Sequence, residues 1–427
     1  MTVALLILAL LALVIIGVPI AIALAAVSVV AMVISSGVDE LPNIGLILFD
    51  AATGFALITI PLFILAGAIM NASGISRRLI GLVSALLGSL KGGLSIVTIG
   101  AAILMAEVSG SAVAGVAALG SILIPAMKRK GYPASFAAAV TSSASTLAVV
   151  IPPSIPMILY AVIAGTSVVE LFVAGLVPGL IGGLLMMSVA YVVAVRRNFP
   201  VDEVFQFKRL WKALREAALA LMLPVIVLGG IFSGWVTATE GAGLAVLAAI
   251  VIGGLVYREL DLAELRAAAM EGAVHTAVVM LLVAASALLS DNLTSIQAPQ
   301  QIAGAIMRVT QNPIMVLGML NVLFLVIGTF LHSAAAITLV IPIVMPLITA
   351  LGIDPVHFGV IVTINLGIGQ QTPPVASVLM TACAIAKSDL WSVTKANLPF
   401  IAVLLVVLML VTYVPAIPMG LVYLFYR

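Results

Sequence analysis

Two stretches of this chain hold residues that an ordinary helix avoids. In Val150-Ile151-Pro152-Pro153-Ser154-Ile155-Pro156 three prolines interrupt an apolar run, and Gln370-Gln371-Thr372-Pro373-Pro374 repeats the proline pair 221 positions later. Proline lacks an N–H and clashes with the preceding turn, so a helix must break at each site. The released carbonyls lose their partners, and an unpaired polar group in an apolar interior is costly. A bound Na+, a hard cation that prefers oxygen ligands, would satisfy several of them. The half-helix that restarts after each break has a partly positive N-terminus, suited to an anionic substrate group. Ser142, Ser143, Ser145 and Thr146 lead into the first break, where hydroxyls serve either a site or plain helix packing. A single proline pair reads as a kink; two pairs at matching positions argue for a site.

Other chemistry is scarce. Cys383 is the one cysteine, which excludes a disulfide framework and any multi-cysteine metal site. There is no Ser-His-Asp set and no HExxH motif, and His275 and His357 read as packing or loop residues without metal-ligand spacing. An enzyme is therefore not expected. Nothing resembles a basic surface for nucleic acid.

The elements that hold the breaks must lie in lipid. Hydrophobic residues make up 64% of the 427 and charged residues 8%, with a mean hydropathy of +1.35. A soluble domain carries about 25% charged residues, so the excess apolar surface has to face a bilayer. At about 20 residues per spanning helix, the chain has room for about ten to twelve spans. The first charged residue is Asp39 and the first basic one Arg77. The opening stretch thus lacks the basic flank of a signal peptide and reads as a first span over 3–34.

Lys and Arg collect in cytoplasmic loops. Taking 3–34 outward and 51–70 inward puts Arg77, Arg78 and Lys91 inside. Residues 94–107 and 111–127 then lie between two basic clusters, so they must enter and leave on one face as a re-entrant hairpin, 94–127. Non-helical backbone at that depth needs protein or a watery cavity around it, which makes Ser109-Gly110-Ser111 a candidate site. Residues 133–165 cross outward as a broken helix, 169–195 return, and 196–215 form a basic amphipathic connector with Trp211 at the interface. Segments 216–235 and 240–257 pair, 270–290 cross outward, and a second hairpin, 314–350, opens from outside. The broken helix 356–387 goes in and 396–424 come out. This arrangement leaves 16 of 18 basic residues inside, with an inside N-terminus and an outside C-terminus. In TATEG, Glu240 reads as a helix cap.

The two halves repeat. The offset of 221 relates Asn71 to Asn292, Pro125 to Pro346, Gly131 to Gly352, Pro152-Pro153 to Pro373-Pro374, Ser167 to Ser388 and Pro178 to Pro399. A one-residue slip between Gly131 and the proline pair sets Phe136 opposite Phe358. With one hairpin entering from each face, the halves are inverted, an architecture of secondary transporters. The expected fold is all-α and polytopic: scaffold helices over 1–70, a first repeat over 71–195, a connector and scaffold over 196–290, and a second repeat over 291–427.

The motifs IPLFILAGAIMNASGISRRL (60–79), SGSAVAGVAALGSILIPAMKRKGYP (109–133), IPPSIPMILYAV (151–162), LFVAGLVPG (171–179), TATEGAG (237–243) and GIDPVHFGVIVTINLGIGQQTPPV (352–375) cover nearly the whole chain. In family order they resemble the large membrane subunit of tripartite ATP-independent periplasmic (TRAP) transporters. The resemblance implies a Na+-driven, elevator-type importer in the bacterial inner membrane. It also implies a small membrane subunit, a periplasmic substrate-binding protein and a small organic anion, usually a carboxylate. Carried over by motif, one Na+ site would use Ser109 with backbone at Ala148, Ile151 and Pro153. A second would use Gly328, Gly369, Thr372 and Val375. Substrate would sit between the hairpin tips and the breaks, near Ser111, Ser154 and Thr372.

Three departures stand out. The family usually has a small or apolar residue where Glu107 stands, Asp near His332, and Gly rather than Ala at 148 and 376. An intramembrane charge is costly, so function is the default reading. Glu107 and His332 either pair with each other, bind substrate or couple a proton, or Glu107 simply reaches an aqueous vestibule. Three other classes compete with this reading: an anion carrier of similar fold that needs no binding protein, a channel, and a membrane-embedded enzyme.

Overall fold

The computed structural model describes residues 3–201 and 205–427, with the side chains of Val3, Ala4, Ile7, Leu11, Ile15, Ser36 and residues 107–109 outside that description. The described elements are helices, apart from one isolated bridge between Lys91 and Val201. Nine helical stretches among the described residues are long and apolar enough to cross a membrane.

The first half comprises α1 (Val3–Ile15), α2 (Ile20–Ser36), α3 (Asn43–Thr53), α4 (Thr59–Ala72), α5 (Ile75–Leu87), α6 (Gly93–Ser109), α7 (Ala112–Arg129), α8 (Ala134–Ser145), α9 (Ile155–Ala164) and α10 (Val168–Arg196). The second comprises α11 (Phe207–Phe232), α12 (Ala238–Ile250), α13 (Leu262–Ser295), α14 (Ala298–Val309), α15 (Pro313–Phe330), α16 (Ser333–Ala350), α17 (Pro355–Gly369), α18 (Ser377–Ala386), α19 (Leu390–Tyr413) and α20 (Ala416–Phe425). Shifted by 221 positions, α7 lands on α16 residue for residue, and α6, α9 and α10 land on α15, α18 and α19 within a few residues. The match also reaches further back than Asn71, since α2 falls on α12 and α4 on the second part of α13.

Local rules explain most boundaries. Ser167, Thr237, Asp261, Asn312, Asp354 and Asp389 each accept a backbone N–H at a helix start, the usual repair for donors a helix leaves unpaired. Glu240 completes a capping box with Thr237, as its motif suggests. Two expected boundaries differ. Gly17-Val18-Pro19 divides the stretch over 3–34 into α1 and α2, because Pro19 fits a helix start and not its interior. The basic run Lys208–Arg215 does not form a separate connector: no breaker parts it from the apolar residues that follow, so it makes the first turns of α11, with Trp211 exposed.

Packing groups the helices into two sets, which meet where α5 packs on α6 and α13 on α16. One joins α2 and α3 with α13, α4 with α12 and α13, and α11 with α5 and α12. The other joins α6 with α7 and α8, α7 and α8 with α18, α15 with α17, and α16 with α9. The halves interlock in the second set. Phe136 lies 6.1 Å from Phe400, and its counterpart Phe358 lies 6.3 Å from Tyr160. In lipid such packing rests on close contact and small residues, and α10 supplies a stripe of them. A methyl group added at Gly175 would sit 2.4 Å from the Val150 carbonyl oxygen, and one at Gly179 2.4 Å from the Ile151 side chain. The stripe lets α10 lie flush against the first break.

Candidate functional site

Both proline pairs interrupt helices as expected. The backbone leaves α8 through a tight turn over Thr146–Val149, runs extended through Ser154 and restarts as α9. In the second half it leaves α17 at Gly369 and restarts as α18 after Ala376, which adopts the left-handed conformation. Each pair contains a cis peptide bond, at Pro152-Pro153 and at Pro373-Pro374.

Each hairpin tip docks on the break of its own half. The Ile155 N–H donates to the Gly110 carbonyl at 3.3 Å, and the Val375 and Ala376 N–H groups donate to the Thr329 carbonyl at 3.3 and 3.4 Å. Gly110 has φ +54°, and a Cβ there would lie 3.2 Å from the Pro153 carbonyl oxygen. Gly328 and Gly369 meet backbone to backbone, with a Cβ on Gly369 only 2.5 Å from Gly328 Cα. The structure thus brings Gly110 against Pro153 and Ile155, Gly328 against Gly369, and Thr329 against Val375. The Ser109 and Glu107 side chains lie outside the described residues.

The two breaks also meet. Gln371 Nε2 donates to Thr146 Oγ1 at 2.6 Å, and Gln371 Oε1 accepts from Ser143 Oγ at 2.6 Å and Asn397 Nδ2 at 3.1 Å. Gln370 Nε2 donates to Ser333 Oγ at the second tip. Asn365 Nδ2 donates to Asn321 Oδ1 at 2.7 Å, and Asn321 Nδ2 to Thr412 Oγ1 at 3.0 Å. Sequence reasoning missed this amide network, although two adjacent glutamines ahead of a proline pair were a signal. Four buried oxygens beside it have no partner among the described residues: Ser142 Oγ, Ser145 Oγ, Asn365 Oδ1 and Gln370 Oε1. Leaving such groups unpaired is expensive, and hydroxyl and amide oxygens are the donors a hard cation takes. No cluster of His, Cys, Asp or Glu among the described residues could hold a metal ion.

A cavity of about 890 Å³ opens between the tips. Gly110, Ser111 and Ala112 line it from one hairpin, His332, Ser333 and Ala334 from the other, and Val149, Ile155, Pro156 and Gln370 from the breaks. The N-termini of α7, α9 and α16 converge there, giving positive helix ends in an apolar setting. Of the three hydroxyls expected at the substrate, Ser111 alone lines this space. Ser154 is fully buried; its hydroxyl donates to the Val149 carbonyl at 2.6 Å and caps α9 by accepting from Met157 N–H. Thr372 Oγ1 donates to the Ile368 carbonyl at 3.0 Å, and Thr372 is not among the lining residues. Ala148, Ile151 and Pro153 are buried, and Val375 is 40% exposed.

The cavity runs from the tips along α7, α4 and α13 to Arg77, Glu271 and His275. Basic residues gather at that end. Lys91 bridges to Val201, Lys128 Nζ donates to the Ala386 carbonyl at 2.8 Å, and Arg78 bonds Glu259 at 2.6 Å. The Arg78 bond holds the Glu259 carboxyl below its ordinary range. At the opposite end of α10, about 40 Å away by helix rise, Arg427 bonds Glu170 and Asp354. The C-terminus and most basic residues therefore occupy opposite ends of the molecule.

Residues 7–417 match the family described as the tripartite ATP-independent periplasmic transporter, DctM component. The chain is 41% identical over 406 residues to the isethionate TRAP transporter permease protein DctMQ of Oleidesulfovibrio alaskensis, covering 95% of itself and 64% of that longer protein. It is 39% identical to the C4-dicarboxylate TRAP transporter large permease protein DctM of Pseudomonas aeruginosa, over 90% of each chain. Its fold matches the crystal structure of the YdaH transporter of Alcanivorax borkumensis with a TM-score of 0.67 at 16% identity, over 94% of this chain and 97% of that one.

Proposed function

The chain belongs to the DctM family of TRAP transporters, the large membrane subunits, and on that premise we propose that it imports a small organic anion by Na+-coupled, elevator-type alternating access. It is a transport protein and not an enzyme. The observation that carries the proposal is the convergence of two hairpin tips and two broken helices on one cavity. Three positive helix ends there suit a carboxylate or sulfonate, and the relatives are named for isethionate and a C4-dicarboxylate. The four unpartnered oxygens beside the breaks support a hard monovalent cation as co-substrate.

In this reading α6–α9 and α15–α18 are the moving body, and α2–α4 with α11–α13 are the scaffold. The cavity is their shared boundary. The basic end faces the cytoplasm and the C-terminus the periplasm of a bacterial inner membrane. A small membrane subunit braces the scaffold, as the fused DctMQ relative suggests, and a periplasmic binding protein delivers the solute.

Thermal unfolding in lipid nanodiscs tests the ion. Equal concentrations of NaCl should raise the melting temperature above KCl or choline chloride, because a ligand of the folded state stabilises it. Identical melting in all three salts rejects Na+ coupling. Delivery is tested in proteoliposomes, where uptake of labelled isethionate or succinate should require the binding protein.

A further inference from the structure

Arg77 and Arg78 are neighbours in sequence with opposite situations. Arg78 is locked: it bonds Glu259 at 2.6 Å and the Gly74 carbonyl at 3.1 Å, and its guanidinium lies 3.7 Å from the Tyr257 ring centroid. Arg77 lines the cavity with its side chain 74% exposed, and its nearest carboxylate among the described residues, Glu259, is 3.8 Å away. That distance is too long for a hydrogen bond, and Glu259 hydrogen-bonds Arg78 through its other oxygen. A largely exposed guanidinium, held by a 3.8 Å ion pair to Glu259, thus stands at the basic end of the cavity that begins at the hairpin tips.

We propose that Arg77 forms a second oxyanion-binding position, which receives the solute after it leaves the hairpin tips. The inference rests on the transport reading above. The wall between the two positions is the small-residue face of α7, with Ala114, Ala117 and Ala118 leading to Ser121. From Ser111 to Ser121 this face covers about 15 Å by helix rise. Asn71 and Ser76 flank Arg77 on the cavity wall, with the Ser76 hydroxyl bonded to Asn71 Oδ1 at 2.5 Å. A guanidinium at the end of a cleft with mostly apolar walls draws anions toward it, and the Glu271 carboxylate at the same end moderates that pull. A planar guanidinium matches a carboxylate or sulfonate in two parallel hydrogen bonds. Glu271 and His275 line the same end from α13, and a carboxylate there would weaken anion binding. Weak binding is what a release path needs, since a tight site would hold its cargo.

The same guanidinium chemistry would also suit an anionic lipid headgroup, so the test must separate the two sources. In the full chain carrying Cys383→Ser, a reporter cysteine is placed at Ala118, near Arg77, or at Val113, near the tip. The rates of modification by the anionic reagent MTSES and the cationic reagent MTSET are compared in phosphatidylcholine vesicles. Arg77→Gln should lower the MTSES/MTSET ratio at position 118 about threefold or more, the size expected of a nearby unit charge at intermediate dielectric. Arg77→Lys should hold that ratio, and position 113 should change less. A ratio at 118 unmoved by Arg77→Gln, or lowered equally at both positions, overturns the proposal. A ratio in the Arg77 protein that collapses when phosphatidylglycerol is added assigns the position to lipid and likewise overturns it. The labelling needs neither Na+ nor transport. An unmoved ratio beside an intact Na+ effect on melting rejects Arg77 alone, and the reverse pattern rejects the Na+ reading alone.

Discussion

The two proline breaks come from one pattern, yet the structure treats them differently. The first is buried throughout, from Ile151 to Ser154, and backed by the glycine stripe of α10. The second leaves Pro374 and Val375 exposed, and α19 carries Ala396, Phe400 and Leu404 where α10 has its glycines. Ser154 caps α9 in the first half; Val375 holds the matching position in the second and has no hydroxyl to offer. In place of a cap, the second break leans on its hairpin through Thr329 and the Gly328–Gly369 contact. The repeat thus holds two similar breaks docked on their hairpins, one buried and capped by a side chain, the other partly exposed and without such a cap.

Four pairs of substitutions probe that contrast. The largest effect should come from Gly369→Ala, whose Cβ would meet Gly328 backbone at 2.5 Å with no side chain free to yield. Uptake in proteoliposomes should fall about a hundredfold, as expected when a site is displaced by a substantial fraction of an ångström. Gly110→Ala has neighbours at 3.2 Å and should cost about tenfold, through its left-handed backbone. If Gly110→Ala proves the more damaging, the first half is the one that depends on its tip.

Gly175→Ala should destabilise the chain by about 2–3 kcal/mol in nanodisc unfolding, the cost of overpacking a closed contact. The matching change in the second half, Ala396→Gly, should cost about 1 kcal/mol, the helix-propensity difference alone. Equal costs would mean the glycine stripe does not back the first break. Gln371→Leu takes the acceptor from Asn397 Nδ2 and one partner each from Ser143 and Thr146, which keep Asn397 Oδ1 and the Ser142 carbonyl, and should cost about 2 kcal/mol. Gln370→Leu removes one side-chain partner, Ser333, and should cost less. The smallest effect belongs to Ser154→Ala, about 1 kcal/mol for a lost cap. Val375→Ala should change melting hardly at all, because no side-chain cap exists there.

Much of this protein was legible in its residues. Proline cannot donate a backbone hydrogen bond, so both breaks follow from composition at two positions, and the fixed offset of prolines and glycines predicted a second half built like the first. Helix length follows from apolar runs and caps, which is why the hairpin over 94–127 emerges as α6 and α7. Tertiary structure decided which way side chains turn. A helix rotates about 100° per residue, and nothing local sets that rotation. Packing therefore aimed Ser111 at the cavity, spent Ser154 and Thr372 on their own backbones, and joined Gln371 to Ser143 across 228 positions. The same holds for Arg77 and Arg78, identical in type and adjacent in sequence: Glu259, 181 residues from Arg78, occupies one and leaves the other facing the cavity.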